Sequence, residues 1–228
     1  MRLLSLLAGC LLLSACGSRP SPAPEPARST TPETAQHPPS DAAPDGRPVI
    51  AAFGDSLTAG FGADPGKSYP DFLQQELDRR GYRYRVVNAG ISGETTTDGL
   101  ARLNMVIALK PAVVIVEFGG NDGLRGLPVA TTRSNLDQII LGLKTSGTQV
   151  LLAGMTLPPN YGADYIIGFQ RIYTDLAAKE KVARIPFLLD RVAGTSRYMQ
   201  QDGLHPTAEG NRIVAATVMR YLQPLLRK

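Results

Sequence analysis

Apolar residues fall along this chain in two alternating patterns, short unbroken runs and stripes of helical spacing. Val49 to Phe53 is a run that reads as a short buried strand. Tyr69, Phe72, Leu73 and Leu77 follow at helical spacing, and Val86-Val87 ends a second strand. Leu100, Leu103 and Ile107 mark the next helix, stopped by Pro111. Ala112 to Phe118 is the near-continuous apolar run expected of a strand covered on both faces. Leu136, Ile139, Ile140 and Leu143 make a third helical stripe, followed by a strand at Gln149 to Ala153. A helix around Tyr165 to Lys179 leads to a weak last strand near Val182 to Ile185, and Val214, Val218, Tyr221 and Leu222 outline a closing helix. Strands that alternate with helices predict an α/β fold, a five-stranded parallel sheet with helices on both faces.

This pattern occupies residues 49–228 and is the size of one domain with a substantial core. What precedes it is different. Met1-Arg2 is followed by a largely apolar stretch from Leu3 to Leu13, then by Leu13-Ser14-Ala15-Cys16. A charged start, a short apolar core and small residues before a cut site describe a secretory signal, here 1–15. The stretch is shorter than the 18 or so apolar residues a membrane span needs. Leu-Ser-Ala-Cys also resembles the lipobox of bacterial lipoproteins, which implies that Cys16 becomes the lipidated first residue of the mature protein, anchoring it to a membrane. Gly17 stands where inner-membrane lipoproteins tend to carry aspartate, so the expected location is the cell envelope, periplasmic or anchored at the outer membrane.

Residues 16–48 hold nine of the chain's 18 prolines and hardly any large apolar side chain. Such a segment cannot form a core and reads as a disordered tether with a reach of roughly 30 Å by random-coil statistics. Of the two cysteines, Cys10 falls within the signal, so the folded part has no thiol and no disulfide scaffold. The net charge of +4 raises the question of nucleic acid. Only Arg79 to Arg85 interleaves basic and aromatic residues, and alternating Tyr and Arg equally describes a half-exposed strand at a solvated sheet edge. No nucleic-acid partner is expected.

The candidate chemistry lies just past the strands. In open parallel sheets, ligands bind outside the carboxyl ends of the strands. Ser56 follows the first strand, Gly90 to Gly93 the second, and Gly119-Gly120-Asn121-Asp122 the third. A loop with Asp202 and His205 precedes the last helix. The chain has two histidines, and the other, His37, sits in the proline-rich tether, so His205 is the available imidazole base. A serine hydroxyl attacks a carbonyl when a base takes its proton and a third group holds that base in the right tautomer. Ser56, His205 and Asp202 supply those parts. The backbone amides of Ser56 and Gly93 and the side-chain amide of Asn121 are candidate donors to an oxyanion. A glycine at 93 lets the backbone approach substrate closely. One histidine and no thiol leave few ligands for zinc. Asp55 reads as structural, bonding nearby backbone. Glu117, a carboxylate inside an apolar strand, reads as a paired structural group whose partner the sequence does not identify.

Gly54-Asp55-Ser56-Leu57, Gly90-Ile91-Ser92-Gly93, Gly119-Gly120-Asn121-Asp122 and Asp202-Gly203-Leu204-His205-Pro206 resemble the four blocks of the SGNH (GDSL) hydrolases. Within that family, Ser92 to Thr95, Gly119 to Gly126 and Leu157 to Gly162 are most similar to the thioesterase I/lysophospholipase L1 and arylesterase branch. The resemblance implies a three-layer, flavodoxin-like α/β/α fold and cofactor-free hydrolysis of acyl esters and thioesters. It implies a mobile loop from Asp122 to Pro128, Leu124 within it, beside the acyl site. It also implies that Leu157, Pro158 and Tyr161 line that site. Thr58 stands where a Gly-x-Ser-x-Gly elbow would have its second glycine, which disfavours an ordinary α/β-hydrolase.

Three functions compete. The first is an esterase or thioesterase for medium to long acyl chains, acting also on lysophospholipids near its membrane. A carbohydrate acetylesterase acting on envelope glycans ranks lower, because the chain has no tryptophan and no aromatic cluster for sugars. A non-catalytic binding lipoprotein is opposed by the intact set Ser56, Gly93, Asn121, Asp202 and His205. A monomer is the default expectation.

Overall fold

The computed structural model describes residues 46–228. The expected signal 1–15, Cys16 and the tether as far as residue 45 lie outside the described residues. Strand β1 (Val49–Gly54) is buried at every position and runs into the short helix α1 (Ser56–Ala59), then α2 (Tyr69–Arg79). The chain returns as β2 (Arg85–Gly90), and helices α3 (Thr96–Ala101) and α4 (Leu103–Ala108) carry it to β3 (Val113–Glu117). Next come α5 (Gly120–Leu124), α6 (Val129–Thr145) and β4 (Gln149–Ala153). A 3-10 turn at Pro159–Tyr161 precedes α7 (Ala163–Glu180), β5 (Ala183–Ile185) and α8 (Ala208–Leu222).

The five strands form one parallel sheet in the order β2-β1-β3-β4-β5. This is the flavodoxin-like order, in which the chain leaves β1 for one edge and comes back to β3. The direction of winding therefore changes between β1 and β3, and a crevice opens above their carboxyl ends. Ser56 follows β1 and Asn121 follows β3, so both stand at that crevice. Helix α2 packs on α8, while α3, α6 and α7 pack in series. Right-handed crossovers put these two groups on opposite faces of the sheet, giving the expected three layers. The apolar stripes account for the packing: Phe72, Leu73 and Leu77 of α2 and Leu136, Ile139, Ile140 and Leu143 of α6 are all buried. Phe53 and Phe118 meet edge to face in the core, 4.8 Å between centroids.

Two local expectations are corrected. The stripe Leu100, Leu103, Ile107 belongs to two helices, because the backbone leaves helical geometry at Arg102. There the guanidinium lies over Phe53, bonds the Gly54 carbonyl and pairs with Glu94. The segment Arg79 to Arg85 is not a strand until its last residue. Arg79 and Arg80 end α2 on the carboxylate of Glu76, and the chain then turns at Gly81. Tyr82 and Tyr84 point inward with Arg83 exposed, so the predicted alternation is present in extended chain without a ladder.

Candidate active site

Ser56 owes its place to Asp55, which caps α1: Asp55 Oδ1 accepts the Leu57 amide at 3.1 Å and bends the chain sharply off β1. Asp202 performs a similar local role at the far end of the sequence. Its Oδ1 accepts the amides of Leu204 (2.9 Å) and His205 (3.0 Å), an Asx-type turn. This leaves Oδ2 facing the imidazole, 2.7 Å from Nδ1. The other ring nitrogen, Nε2, lies 2.8 Å from Ser56 Oγ, across 149 residues of sequence. Partial burial of Asp202 opposes its ionisation, but the imidazole and the two amides outweigh this and hold its carboxyl below the usual range. With Asp202 ionised, the hydrogen of a neutral imidazole sits on Nδ1, and Nε2 is left as the acceptor for the serine proton. The Phe61 ring packs against the imidazole, 4.6 Å between centroids.

The amides of Ser56 and Gly93 donate to no other group among the described residues, and both residues line the same cavity. Gly93 has φ of +83°, backbone that L side chains rarely adopt, with no protein atom crowding the position. Conformation, rather than close protein packing, asks for glycine there. The turn is held from both sides: Arg125 donates to the Gly93 carbonyl at 2.8 Å, and Glu94 pairs with Arg102 at 2.6 Å. Asn121 uses both hydrogens of its amide, one on Asp55 Oδ2 (3.1 Å) and one on the Glu94 carbonyl (2.8 Å).

Beneath this rim lies a buried acidic pair. Glu117, fully buried at the end of β3, accepts the Asp55 amide (3.2 Å) and the Thr58 hydroxyl (2.8 Å) on Oε2. Thr58 is bonded in turn to the Tyr69 hydroxyl at 3.2 Å. The partners missing from the sequence reading are thus a hydroxyl and an amide, not a cation. Oε1 is buried with no partner among the described residues. Burial, reinforced by the charge of Asp55, pushes the Glu117 carboxyl well above its usual range. Asp55 is pushed up to about 6 by burial, against the pull of the Leu57 amide and the Glu117 carboxyl. Gly54 has no room for a side chain, since a Cβ there would collide with Thr58 and with Glu117 itself. Asp55 therefore bonds nearby backbone as expected, and it also holds Asn121.

The cavity beside Ser56 has a volume of about 690 Å³ and a mainly apolar lining. Leu124, Leu157 and Pro158 are among the residues that line it. Tyr161 does not line it; its hydroxyl donates to the Leu124 carbonyl at 2.9 Å and supports the wall from behind. Asp122, at the head of the segment expected to be mobile, is fully buried, its carboxylate bonded to the amide and hydroxyl of Thr96 and to Thr132. The rest of that segment is tied down through Arg125 and by the Tyr165 hydroxyl on the Leu127 carbonyl. Leu189, Ala193 and Met199 form a further wall from the β5–α8 connection. No periodic signal in the sequence marked them.

The profile of the GDSL-like lipase/acylhydrolase family matches residues 52–213. "Esterase TesA" of Pseudomonas aeruginosa is 46% identical over 179 residues, 78% of this chain and 89% of that protein. "Thioesterase 1/protease 1/lysophospholipase L1" of Escherichia coli K12 is 38% identical over 179 residues, 78% of this chain and 85% of that protein. The crystal structure of TesA superposes with a TM-score of 0.76 at 45% identity, covering 78% of this chain and 99% of that one.

Proposed function

The chain belongs to the GDSL-like lipase/acylhydrolase family and is a carboxylic ester hydrolase, and we propose that it cleaves apolar acyl esters and thioesters through Ser56, His205 and Asp202. The observation that carries this reading is the 2.8 Å contact between His205 Nε2 and Ser56 Oγ at the wall of an apolar cavity. Ser56 Oγ attacks the carbonyl carbon while its proton passes to Nε2. The imidazolium, stabilised by Asp202, then gives that proton to the departing alcohol or thiol, leaving the acyl group on Ser56. Water attacks the acyl-enzyme with His205 again as base, and the acid is released with the serine restored.

The tetrahedral oxyanion of each step is met by the amides of Ser56 and Gly93 and by Asn121. In the free enzyme one hydrogen of Asn121 rests on the Glu94 carbonyl. A charged oxygen is the stronger acceptor, so this hydrogen turns to substrate as charge develops. An interaction made mainly in the transition state raises kcat rather than tightening ground-state binding.

The substrates are medium to long acyl chains, lysophospholipids among them. The apolar cavity supports this choice, and the name of the Escherichia relative, a thioesterase and lysophospholipase, supports lysophospholipids among the substrates. The contacts among Ser56, His205 and Asp202 need no second copy of the chain, and a monomer is the simplest form of the enzyme. The lipobox-like Leu13 to Cys16 supports lipid attachment at Cys16 and a place at the cell envelope, at the outer membrane or facing the periplasm. The test of substrate class is hydrolysis of p-nitrophenyl esters from acetate to palmitate by the purified protein. Turnover that peaks at medium or long chains agrees with this reading; activity confined to acetate contradicts it.

A further inference from the structure

Glu117 takes no part in the proton transfers above, yet it touches the residue that precedes the nucleophile. The titratable groups that face Glu117 are Asp55, which follows β1, Tyr69 of α2 and Tyr173 of α7, while Asp55 also faces Asp122 of α5 and His205. Arg102 bonds the Gly54 carbonyl and Glu94 instead, and no cation bonds Glu117 among the described residues. The Asp55 amide on Glu117 Oε2 brings the two buried side chains together, and each acts on the ionisation of the other. Two ionised carboxylates cannot share so buried a place, so one of them carries a proton.

The donors around the pair decide which. Asp55 is supplied on both oxygens, by the Leu57 amide on Oδ1 and by Asn121 on Oδ2. Glu117 receives its two donors on Oε2 alone, and Oε1 receives none. A carboxylate with fewer donors is the less stabilised as an anion, so Glu117 is the member of the pair that keeps the proton. We propose that Glu117 is a positioning residue for the reaction: as the protonated member of the pair, it donates a hydrogen bond to the Asp55 carboxylate and keeps Asp55 ionised and aligned as the acceptor that orients Asn121. The inference rests on the reading of Asn121 as an oxyanion donor. Its physical content is a relay of restraint. Thr58 and the Asp55 amide orient Glu117, Glu117 orients Asp55, and Asp55 fixes one hydrogen of Asn121 so that the other is free to turn from Glu94 to substrate.

The test pairs Glu117→Gln with Glu117→Met. Glutamine keeps a neutral donor beside an acceptor, whereas methionine keeps much of the bulk and loses both. Glu117→Met lowers kcat roughly 10-fold or more with little change in KM, as expected when one oxyanion donor is misdirected. Glu117→Gln recovers most of that loss. The infrared carbonyl stretch of a protonated carboxylic acid is present in the wild-type protein at neutral pH and absent from Glu117→Gln. That measurement stands even if the methionine variant does not fold. Absence of the band from the wild type, its persistence in Glu117→Gln, or a folded methionine variant with full kcat would overturn the inference. Unchanged kcat in Asn121→Ala would instead overturn the oxyanion reading beneath it, with the infrared band intact.

Discussion

The side-chain amide of Gln200 donates to the Phe61 carbonyl at 2.7 Å, tying the loop of His205 to the turn that follows Ser56. The same amide donates to the Pro206 carbonyl at 2.9 Å, and the backbone amide of Gln200 donates to the His205 carbonyl at 2.8 Å. One residue thus sets the register between segments that are far apart in sequence.

Gln200→Ala keeps the backbone bond and removes the other two. Small displacements between nucleophile and base are expensive in rate. We expect kcat to fall roughly 10-fold with KM nearly unchanged, and Tm to fall by a few degrees for the lost hydrogen bonds. Steady-state kinetics on a soluble ester and a thermal melt check both.

Asn121→Ala separates catalysis from binding. Losing one oxyanion donor raises the barrier by about 2.7–4 kcal/mol. We therefore expect kcat to drop about 100- to 1,000-fold while KM stays within a few-fold. Equal kcat with weaker binding would assign Asn121 to substrate affinity instead.

The acidic pair gives stability a pH dependence of unusual sign. Burial raises Asp55 from 3.8 to about 6, so the folded protein binds this proton more tightly than the unfolded chain does. The contribution of Asp55 is fully present below pH 4 or so and is lost as pH rises through about 6. Glu76 and Asp202 shift the opposite way and lose their contributions as pH falls below the usual carboxylate range. Urea unfolding of the wild type and Asp55→Asn between pH 4 and 6 compares the acidic pair with and without the Asp55 carboxyl, and the variant should show the flatter profile.

Lipid attachment is tested by Cys16→Ser in a bacterial host with a processed envelope. The variant is expected in the soluble fraction with its esterase activity unchanged, since Cys16 lies outside the catalytic domain. Membrane fractionation followed by an ester assay of both fractions checks it. A variant still wholly bound to membrane would argue against the anchor.

The parts of this site that could be read from sequence are those whose chemistry is local. Asp202 and His205 stand three residues apart and build their own turn, and Ser56 follows a strand that announces itself by five apolar residues. The sheet was legible for the same reason: strands buried on both faces read as unbroken runs. What stayed hidden depends on contacts between distant segments. Nothing near Glu117 in sequence points to Thr58, which bonds it from α1, or to Tyr69 of α2, which is bonded to Thr58 in turn. Tyr161 sits in a stretch that lines the cavity, but its hydroxyl is committed to Leu124, a pairing no spacing rule reveals. Leu189, Ala193 and Met199 lie in an irregular connection, where periodicity carries no information. Arg102 interrupts a helical stripe because its side chain is drawn to Gly54 and Glu94.

The most direct measurement is covalent capture of the nucleophile. The purified protein is treated with an alkyl p-nitrophenyl phosphonate, which mimics the tetrahedral intermediate, and then weighed intact and as peptides. We predict a single phosphonyl adduct on Ser56, loss of esterase activity in proportion to labelling, and neither labelling nor appreciable turnover in Ser56→Ala. An adduct on another residue, or a Ser56→Ala protein that still turns over ester at the wild-type rate, would contradict the assignment of Ser56, His205 and Asp202 as the catalytic machinery.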